Sequence, residues 1–143
     1  MRSLSFVVAL WSPIVAAQGW CTGDKSIVGY CTPDTWNAQP INASAPTNDE
    51  CQDACRGVAS DAGDWFANLT GSAEGERRSV VGYPCQFSLG RGPGQADPLV
   101  FSFANQDILD IYDGVIQRFG SSGRTAASGT MTCEGKKVSW WVD

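Results

Sequence analysis

Apolar residues recur at Ile108, Ile111, Tyr112, Val115, Ile116 and Phe119. This spacing of i, i+3, i+4, i+7, i+8 and i+11 gathers them into one stripe and predicts a helix buried along one side. Asn105 or Asp107 is its candidate cap. Asp107 and Asp110 fall in the first turns, where the helix dipole favours anions, and Arg118 with Gly120 marks the end, the glycine as a left-handed stop. A second stripe, Cys51, Ala54, Cys55 and Val58, follows Thr47-Asn48-Asp49-Glu50. That tetrapeptide is a capping box, so a helix is expected to start there and to fade near Ser60 to Gly63. Cys51 and Cys55 lie one turn apart on its inner face. They are poorly placed to bond to each other, so each is expected to reach another segment and tie the helix to the sheet in two places.

Strand patterns fill the rest. Ser26 to Cys31 has β-branched and aromatic content, with Thr32-Pro33-Asp34 as the turn that ends it and Asn37 to Pro46 as a polar loop. Trp65 and Phe66 are expected in the core or in a strand, and Asn68 to Ser79 on the surface. Val80 to Leu89 and Leu99 to Ala104 look like two strands joined through Gly90 to Gly94. Thr130 to Cys133, the turn Glu134-Gly135, and Lys137 to Val142 form a hairpin. The order β, α, β, β, α, β, β predicts an α+β fold, a two-layer sandwich with an antiparallel sheet and both helices on one face.

The N-terminus departs from this pattern. Met1-Arg2-Ser3, the apolar run Leu4 to Val15 and the small residues Val15-Ala16-Ala17 form a signal peptide over residues 1–17, cut after Ala17 with Gly19 the alternative. The run is far shorter than the roughly 20 residues of a spanning helix, so no stable membrane insertion is expected. The remaining residues, 18–143, suffice for a single cysteine-rich domain. All six cysteines, Cys21, Cys31, Cys51, Cys55, Cys85 and Cys133, lie there. In a secreted chain an even number implies three disulfides, and six cysteines allow fifteen pairings among which the sequence does not choose. No C-x-x-C spacing and no histidine occur, which argues against a metal site. Asn42-Ala43-Ser44 and Asn68-Leu69-Thr70 fit the N-glycosylation pattern, making Asn42 and Asn68 candidate surface sites.

Charge narrows the partners. The chain has 10 basic and 15 acidic residues, a net charge of −5 that loss of Arg2 makes more negative. Such a surface repels phosphate backbones and anionic lipid, so nucleic acid is not an expected partner. The absence of histidine removes the usual Ser-His-Asp and Cys-His arrangements. Asp107, Asp110 and Asp113 are close enough in sequence for paired-carboxylate glycoside chemistry, but helical spacing points to a solvated, capping role, and it misses the calcium-loop pattern. Gly90-x-Gly92-x-Gly94 joins strands rather than opening a helix, so it is a flexible loop and not a phosphate cradle. Arg77-Arg78 is a possible dibasic processing site whose products would stay joined by disulfides. Trp36, Trp140 and Trp141 form a conceivable sugar platform, although consecutive strand residues point to opposite faces. No cofactor is implied.

Asn105 to Ile111, then Arg118-Phe119-Gly120, then Ala127 to Cys133 occur in order, and Cys85-Gln86-Phe87 adds a Cys-x-Phe strand. In these motifs the chain resembles the necrosis-inducing factor domain found in homologues of the second extracellular effector of a tomato leaf-mould fungus. The similarity is strongest from Tyr83 to Val142 and weaker over Cys31 to Trp36 and Cys51 to Trp65. It implies a secreted fungal effector, not an enzyme, acting outside the fungal cell and associated with cell death or defence responses in plants, in a disulfide-stabilised α/β sandwich similar to small killer toxins. The expected partner is a host plant protein or a cell-wall glycan, and the expected state a monomer. It transfers no catalytic residue. Cys31, Cys51, Cys85 and Cys133 match the family's cysteines, which leaves Cys21 and Cys55 as an additional pair. Two other classes compete: a carbohydrate-binding or antimicrobial toxin-like protein, and a small secreted glycosidase.

Overall fold

In the computed structural model, which describes residues 19–61 and 63–143, the two helical stripes become α1 (Asn48–Ser60) and α2 (Asn105–Phe119). The signal segment expected at 1–17 lies outside the described residues. The capping box of α1 is formed: Thr47 Oγ1 accepts from the Glu50 amide, and the Glu50 carboxylate accepts from the Thr47 amide, each at 3.1 Å. Cys51, Cys55 and Val58 are buried, as their spacing requires. In α2 the buried face holds Ile108, Ile111, Tyr112 and Val115. Its cap differs from expectation. Ala104 takes the cap position, and Asp107 in the first turn accepts its amide at 2.7 Å, while Asn105 instead donates to the Asp61 carbonyl at 2.8 Å. Gly120 is not a left-handed stop either, since its φ is −92°. A β-carbon there would lie 2.5 Å from the Ile116 carbonyl oxygen and 2.9 Å from Asn48 Oδ1, so close approach of the α1 N-terminus calls for glycine.

Seven strands follow the chain: β1 (Cys31–Ala38), β2 (Trp65–Asn68), β3 (Arg78–Val81), β4 (Phe87–Arg91), β5 (Val100–Phe103), β6 (Ala127–Cys133) and β7 (Lys136–Val142). Five make an antiparallel sheet in the order β1-β6-β7-β4-β3, and β2 pairs with β5 in a separate ribbon. The β6-β7 hairpin is the predicted one, lengthened at both ends. Glu134 (φ 49°) and Gly135 (φ 79°) both adopt the left-handed conformation that a two-residue hairpin turn favours. Along β6 and β7, Met131, Cys133, Val138, Trp140 and Val142 are buried while the residues between them face outward. With both helices on the buried face, the architecture is the expected disulfide-stabilised α+β sandwich.

Three strand expectations change. Residues 26–30 are not a strand, and Thr32-Pro33-Asp34 lies inside β1 rather than ending it. This is tolerated because β1 is at the sheet edge and has a register shift between Pro33 and Thr35. The apolar run Val80 to Leu89 is two antiparallel strands, β3 and β4, separated by a bend that carries the cis Tyr83-Pro84 bond. Gly90 to Gly94 joins no hairpin: both sides of β4 are occupied, by β3 and β7, so β5 pairs with β2 instead. Alternation in β2 turns Trp65 inward, stacked on Phe103 with centroids 5.9 Å apart, and leaves Phe66 70% exposed rather than in the core.

The interior is organised by indoles set against glycines. Trp140, fully buried, meets Trp36 edge to face at 5.2 Å. A β-carbon on Gly129 would lie 2.4 Å from the Trp140 ring, and one on Gly114 of α2 would lie 2.3 Å from the Trp36 ring. Both glycines therefore make room that any side chain would close. Asp107 is 6% exposed and ties the start of α2 to the entry of β1: its carboxylate accepts from the amides of Tyr30 (2.9 Å), Cys31 (3.2 Å) and Ala104 (2.7 Å). Gly29 lies against the same carboxylate, where a β-carbon would sit 2.0 Å from Oδ1.

The bridges are Cys21–Cys55, Cys31–Cys133 and Cys51–Cys85. Each cysteine of α1 bonds elsewhere, but only Cys51 runs toward the sheet. Cys55 instead holds the short 3-10 turn Trp20–Thr22. Cys31 and Cys133 are direct cross-strand partners separated by 102 residues in sequence, so this bridge removes the most freedom from the unfolded chain, about 4–5 kcal/mol on the loop-entropy scale.

Non-reducing peptide mapping is expected to recover these three pairs; a Cys55–Cys133 peptide would contradict the fold. Asp107→Ala leaves three amides, one buried and two partly buried, without their acceptor and is expected to cost about 3 kcal/mol in denaturant unfolding. Asp110→Ala, which breaks an exposed pair with Lys25, is expected to cost under about 1 kcal/mol. Burial raises the Tyr112 phenol above its ordinary value, and its hydroxyl donates to the Cys85 carbonyl at 2.7 Å. The folded state therefore favours the neutral phenol. This contribution is complete below the unfolded tyrosine value of about 10 and is lost as pH rises above it. In an alkaline absorbance titration, Tyr112 should ionise only as the fold is lost.

Candidate functional site

The three aspartates of α2 do not form one cluster. Asp107 holds backbone, whereas Asp110 and Asp113 both face Lys25, whose Nζ lies 2.8 and 3.1 Å from their carboxylates. Partial burial lowers the affinity of Lys25 for its proton, but hydrogen bonds to the two carboxylates outweigh that and hold the ammonium above its ordinary value. Asp110 and Asp113 also accept from Gln106 Nε2 and Gln117 Nε2, at 2.8 and 2.9 Å. Nothing in this arrangement sets one acid apart as a proton donor facing a nucleophile.

The other sequence candidates are equally dispersed. Gly92 donates its amide to the Lys137 carbonyl at 3.1 Å, so the glycine segment packs along β7 and opens no helix. Trp36 and Trp140 belong to the interior, while Trp141 lies on the outer face beneath Arg77, whose guanidinium is 4.6 Å from the ring. The three tryptophans thus share no platform. Arg77 also pairs with Asp143 at 2.7 Å, and Arg78 donates to the Asn68 carbonyl at 3.1 Å. Asn42 and Asn68 are exposed, and their side-chain oxygens accept from the amides of Ser44 (2.9 Å) and Thr70 (3.1 Å). Among the described residues no group of three or more His, Cys, Asp or Glu is placed to hold a metal ion, and no helix is long and apolar enough to cross a membrane.

A pair of neighbouring hollows draws on different residues. The larger, about 380 Å³, lies between α1 and the segment from Val80 to Pro84. Glu50 and Asp53 of α1 and Asp61 just past its end line it, the Glu50 carboxylate engaged in the capping box and that of Asp53 paired with Arg56; Val58 of α1 and Val80 and Val81 of β3 make the aliphatic lining. Tyr83 stands at the rim, 83% exposed, on the bend that separates β3 from β4. The second hollow, about 270 Å³, lies between β2 and β3 and carries Phe66. Trp65 and Val80 line both. Beyond the larger hollow, the Tyr30 hydroxyl donates to Asp64, and that bond holds the phenol above its ordinary value.

The side-chain polar groups of the larger hollow are carboxylates, one phenol and the Trp65 indole N–H, which donates to Asn105, and Arg56 pairs with the Asp53 carboxylate. Such a surface holds neither a nucleophile paired to a base nor a donor array for an oxyanion. These residues escaped the sequence reading because the apolar run Val80 to Leu89 conceals a bend. Gly82-Tyr83-Pro84 was the available signal, a glycine followed by an X-Pro pair.

Comparison with known proteins adds two findings. Residues 30–133 match the family Hce2, described as "Pathogen effector; putative necrosis-inducing factor". The chain is also 25% identical over 130 residues to "Probable chitinase LysM18" of Penicillium expansum, an alignment covering 87% of this chain and 8% of that protein. The chain thus spans less than a tenth of the length of this relative. The family match covers most of the chain and includes both helices and six of the seven strands, so the protein belongs to the Hce2 family of pathogen effectors.

Proposed function

We propose that this protein is a secreted effector that acts on a plant host by binding, without catalysis of its own. In this reading residues 1–17 are removed as a signal peptide, and 18–143 act in the host apoplast as one monomeric, cysteine-rich domain. The observation that carries the binding reading is the open hollow beside α1, where Tyr83 stands exposed at the rim of an aliphatic lining made by Val58, Val80 and Val81. Exposed aromatic side chains beside a concave surface are what a recognition site needs. The engagement of Asp107, Asp110 and Asp113 with backbone amides and Lys25 supports the non-catalytic part.

A second reading, carbohydrate binding in the wall, is favoured by the similarity to a segment of a protein named a probable chitinase. Pull-down on chitin, cellulose and glucan separates it from the first. Turnover of a glycan panel that disappears in Asp110→Asn would instead establish a glycosidase.

The purified, oxidised protein infiltrated into leaves is expected to cause cell death at doses where a reduced and alkylated control does not. Tyr83→Ala should weaken that response about tenfold or more while leaving the melting temperature unchanged, because Tyr83 is outside the core. Absence of any response across several plants would overturn the necrosis reading. On expression through a glycosylating secretory pathway, removal of N-glycans is expected to lower the mass, and the shift should vanish in an Asn42→Gln/Asn68→Gln double variant.

A further inference from the structure

The smaller hollow has a chemistry of its own. Leu69, Leu89 and Phe103 line it and belong to the hydrophobic core, so it reaches from the surface to the interior between β2 and β3. Trp65, Phe66 and Val80 add apolar walls. No acid is among its lining residues, and the one charged side chain there is Arg78. Arg78 stands opposite Leu89 in the β3-β4 register, and Leu89 is buried, so the arginine stem lies on the core side of the sheet. Its guanidinium crosses to β2, where Nη1 donates to the Asn68 carbonyl at 3.1 Å. A guanidinium carries five N–H donors in a planar fork, so this bond leaves others for an anion.

Main-chain donors of β2 face the same way. In an antiparallel ladder, opposed residues alternate between exchanging their hydrogen bonds and pointing them away from each other. Ser102, opposite Phe66, gives its amide to Glu134, so Phe66 and Ser102 are a pair of the second kind. Asn68 and Val100, two residues along, are another: the Val100 carbonyl accepts from Lys136 and the Asn68 carbonyl from Arg78. The amides of Phe66 and Asn68 therefore point away from β5, toward the hollow that both residues line.

We propose that this hollow binds a small aromatic carboxylate, its ring among Trp65, Val80 and Leu89 and its carboxylate on the Arg78 guanidinium and the Asn68 amide. An arginine fork beside a main-chain N–H offers charge-assisted hydrogen bonds to both oxygens of a carboxylate. The volume, about 270 Å³, is close to the roughly 300 Å³ at which small-molecule pockets begin. That suits a body of about ten to fifteen non-hydrogen atoms. A cation finds no carboxylate among the lining residues, and a neutral ring gives up the charge-assisted bonds. The site goes beyond the host-binding reading, because neither Tyr83 nor the acids of the larger hollow take part in it.

The test is calorimetric titration of the oxidised protein with naphthylacetate, compared with naphthylacetamide, naphthylethylamine and octanoate. Naphthylacetate is expected to bind with a Kd on the order of 100 μM, and the other three at least about tenfold more weakly. Arg78→Gln should weaken naphthylacetate about tenfold, and Arg78→Lys should recover part of the loss by keeping the charge without the fork. Arg77→Gln removes the neighbouring guanidinium, which pairs with Asp143 outside the hollow, and should leave binding unchanged. In amide NMR spectra the ligand should shift Phe66 and Asn68 but not Gly82, which lines only the larger hollow. Equal binding of the amide, the amine or octanoate, an equal loss in Arg77→Gln, shifts at Gly82 without Phe66 and Asn68, or no binding up to about 1 mM would each overturn the proposal. A leaf response without naphthylacetate binding removes this inference and leaves the effector reading standing. Binding without any leaf response removes the necrosis reading alone.

Discussion

One buried carboxylate holds together parts of the chain that the sequence keeps far apart. Asp107 accepts the amides of Tyr30 and Cys31 from the start of β1, and that of Ala104 from the start of α2. A carboxylate offers several acceptor sites, so three donors suit it, and each of these amides, buried or partly buried, would otherwise lose its acceptor. The constraint reaches further. Because Gly29 must pass against the same carboxylate, the N-terminal segment is drawn across the front of α2, where Lys25 meets Asp110 and Asp113 and the Asp24 amide meets Gln106. The 3-10 turn beyond it is then in reach of α1, where Cys21 bonds to Cys55.

The second organising device is geometric rather than electrostatic. Gly114 and Gly129 let two indoles occupy the space between α2 and the sheet, and the Arg118 guanidinium closes over Trp36 at 4.1 Å from the ring. Helix and sheet are thereby fixed beside β1, at the opposite edge of the sheet from β3. Elsewhere Arg91, largely buried, donates to the carbonyls of Ser72 (2.8 Å), Gln95 (2.7 Å) and Leu69 (3.2 Å) and pairs with Asp97. Hydrogen bonds from Arg91 and from the Gly71 amide keep the Asp97 carboxyl below its ordinary value. One guanidinium thus fastens the irregular segments that precede β3 and follow β4 in sequence.

Much of this was legible in the sequence where a local period carries the information. Both helices are, because Cys51, Ala54, Cys55 and Val58, and likewise Ile108 to Phe119, repeat the helical spacing, and the Thr47 capping box marks its own start. Strand pairing depends on residues far apart, and there the local pattern misleads. Leu99 to Ala104 follows β4 closely in sequence but pairs with β2 because β7, from the C-terminus, already occupies that side of β4. The same limit hid the site. Phe66 has the composition of a core residue, but its exposure follows from which face of β2 meets Phe103, and Tyr83 sits in an apolar run whose bend shows only in Gly82 and Pro84. Asp107 was visible as a first-turn acid, but its partners at Tyr30 and Cys31 have no sequence signature.

The position of β7 bears on the order in which the sheet can assemble. This strand, which follows the other six in sequence, is the third of five in the sheet, lying between β6 and β4. Until residues 136–142 are in place, β1 with β6 and β3 with β4 are two separate ribbons, and Trp140 is missing from the space that Gly129 keeps open. The sheet therefore cannot grow strand by strand in chain order. Its two halves join in one event, when β7 docks between them.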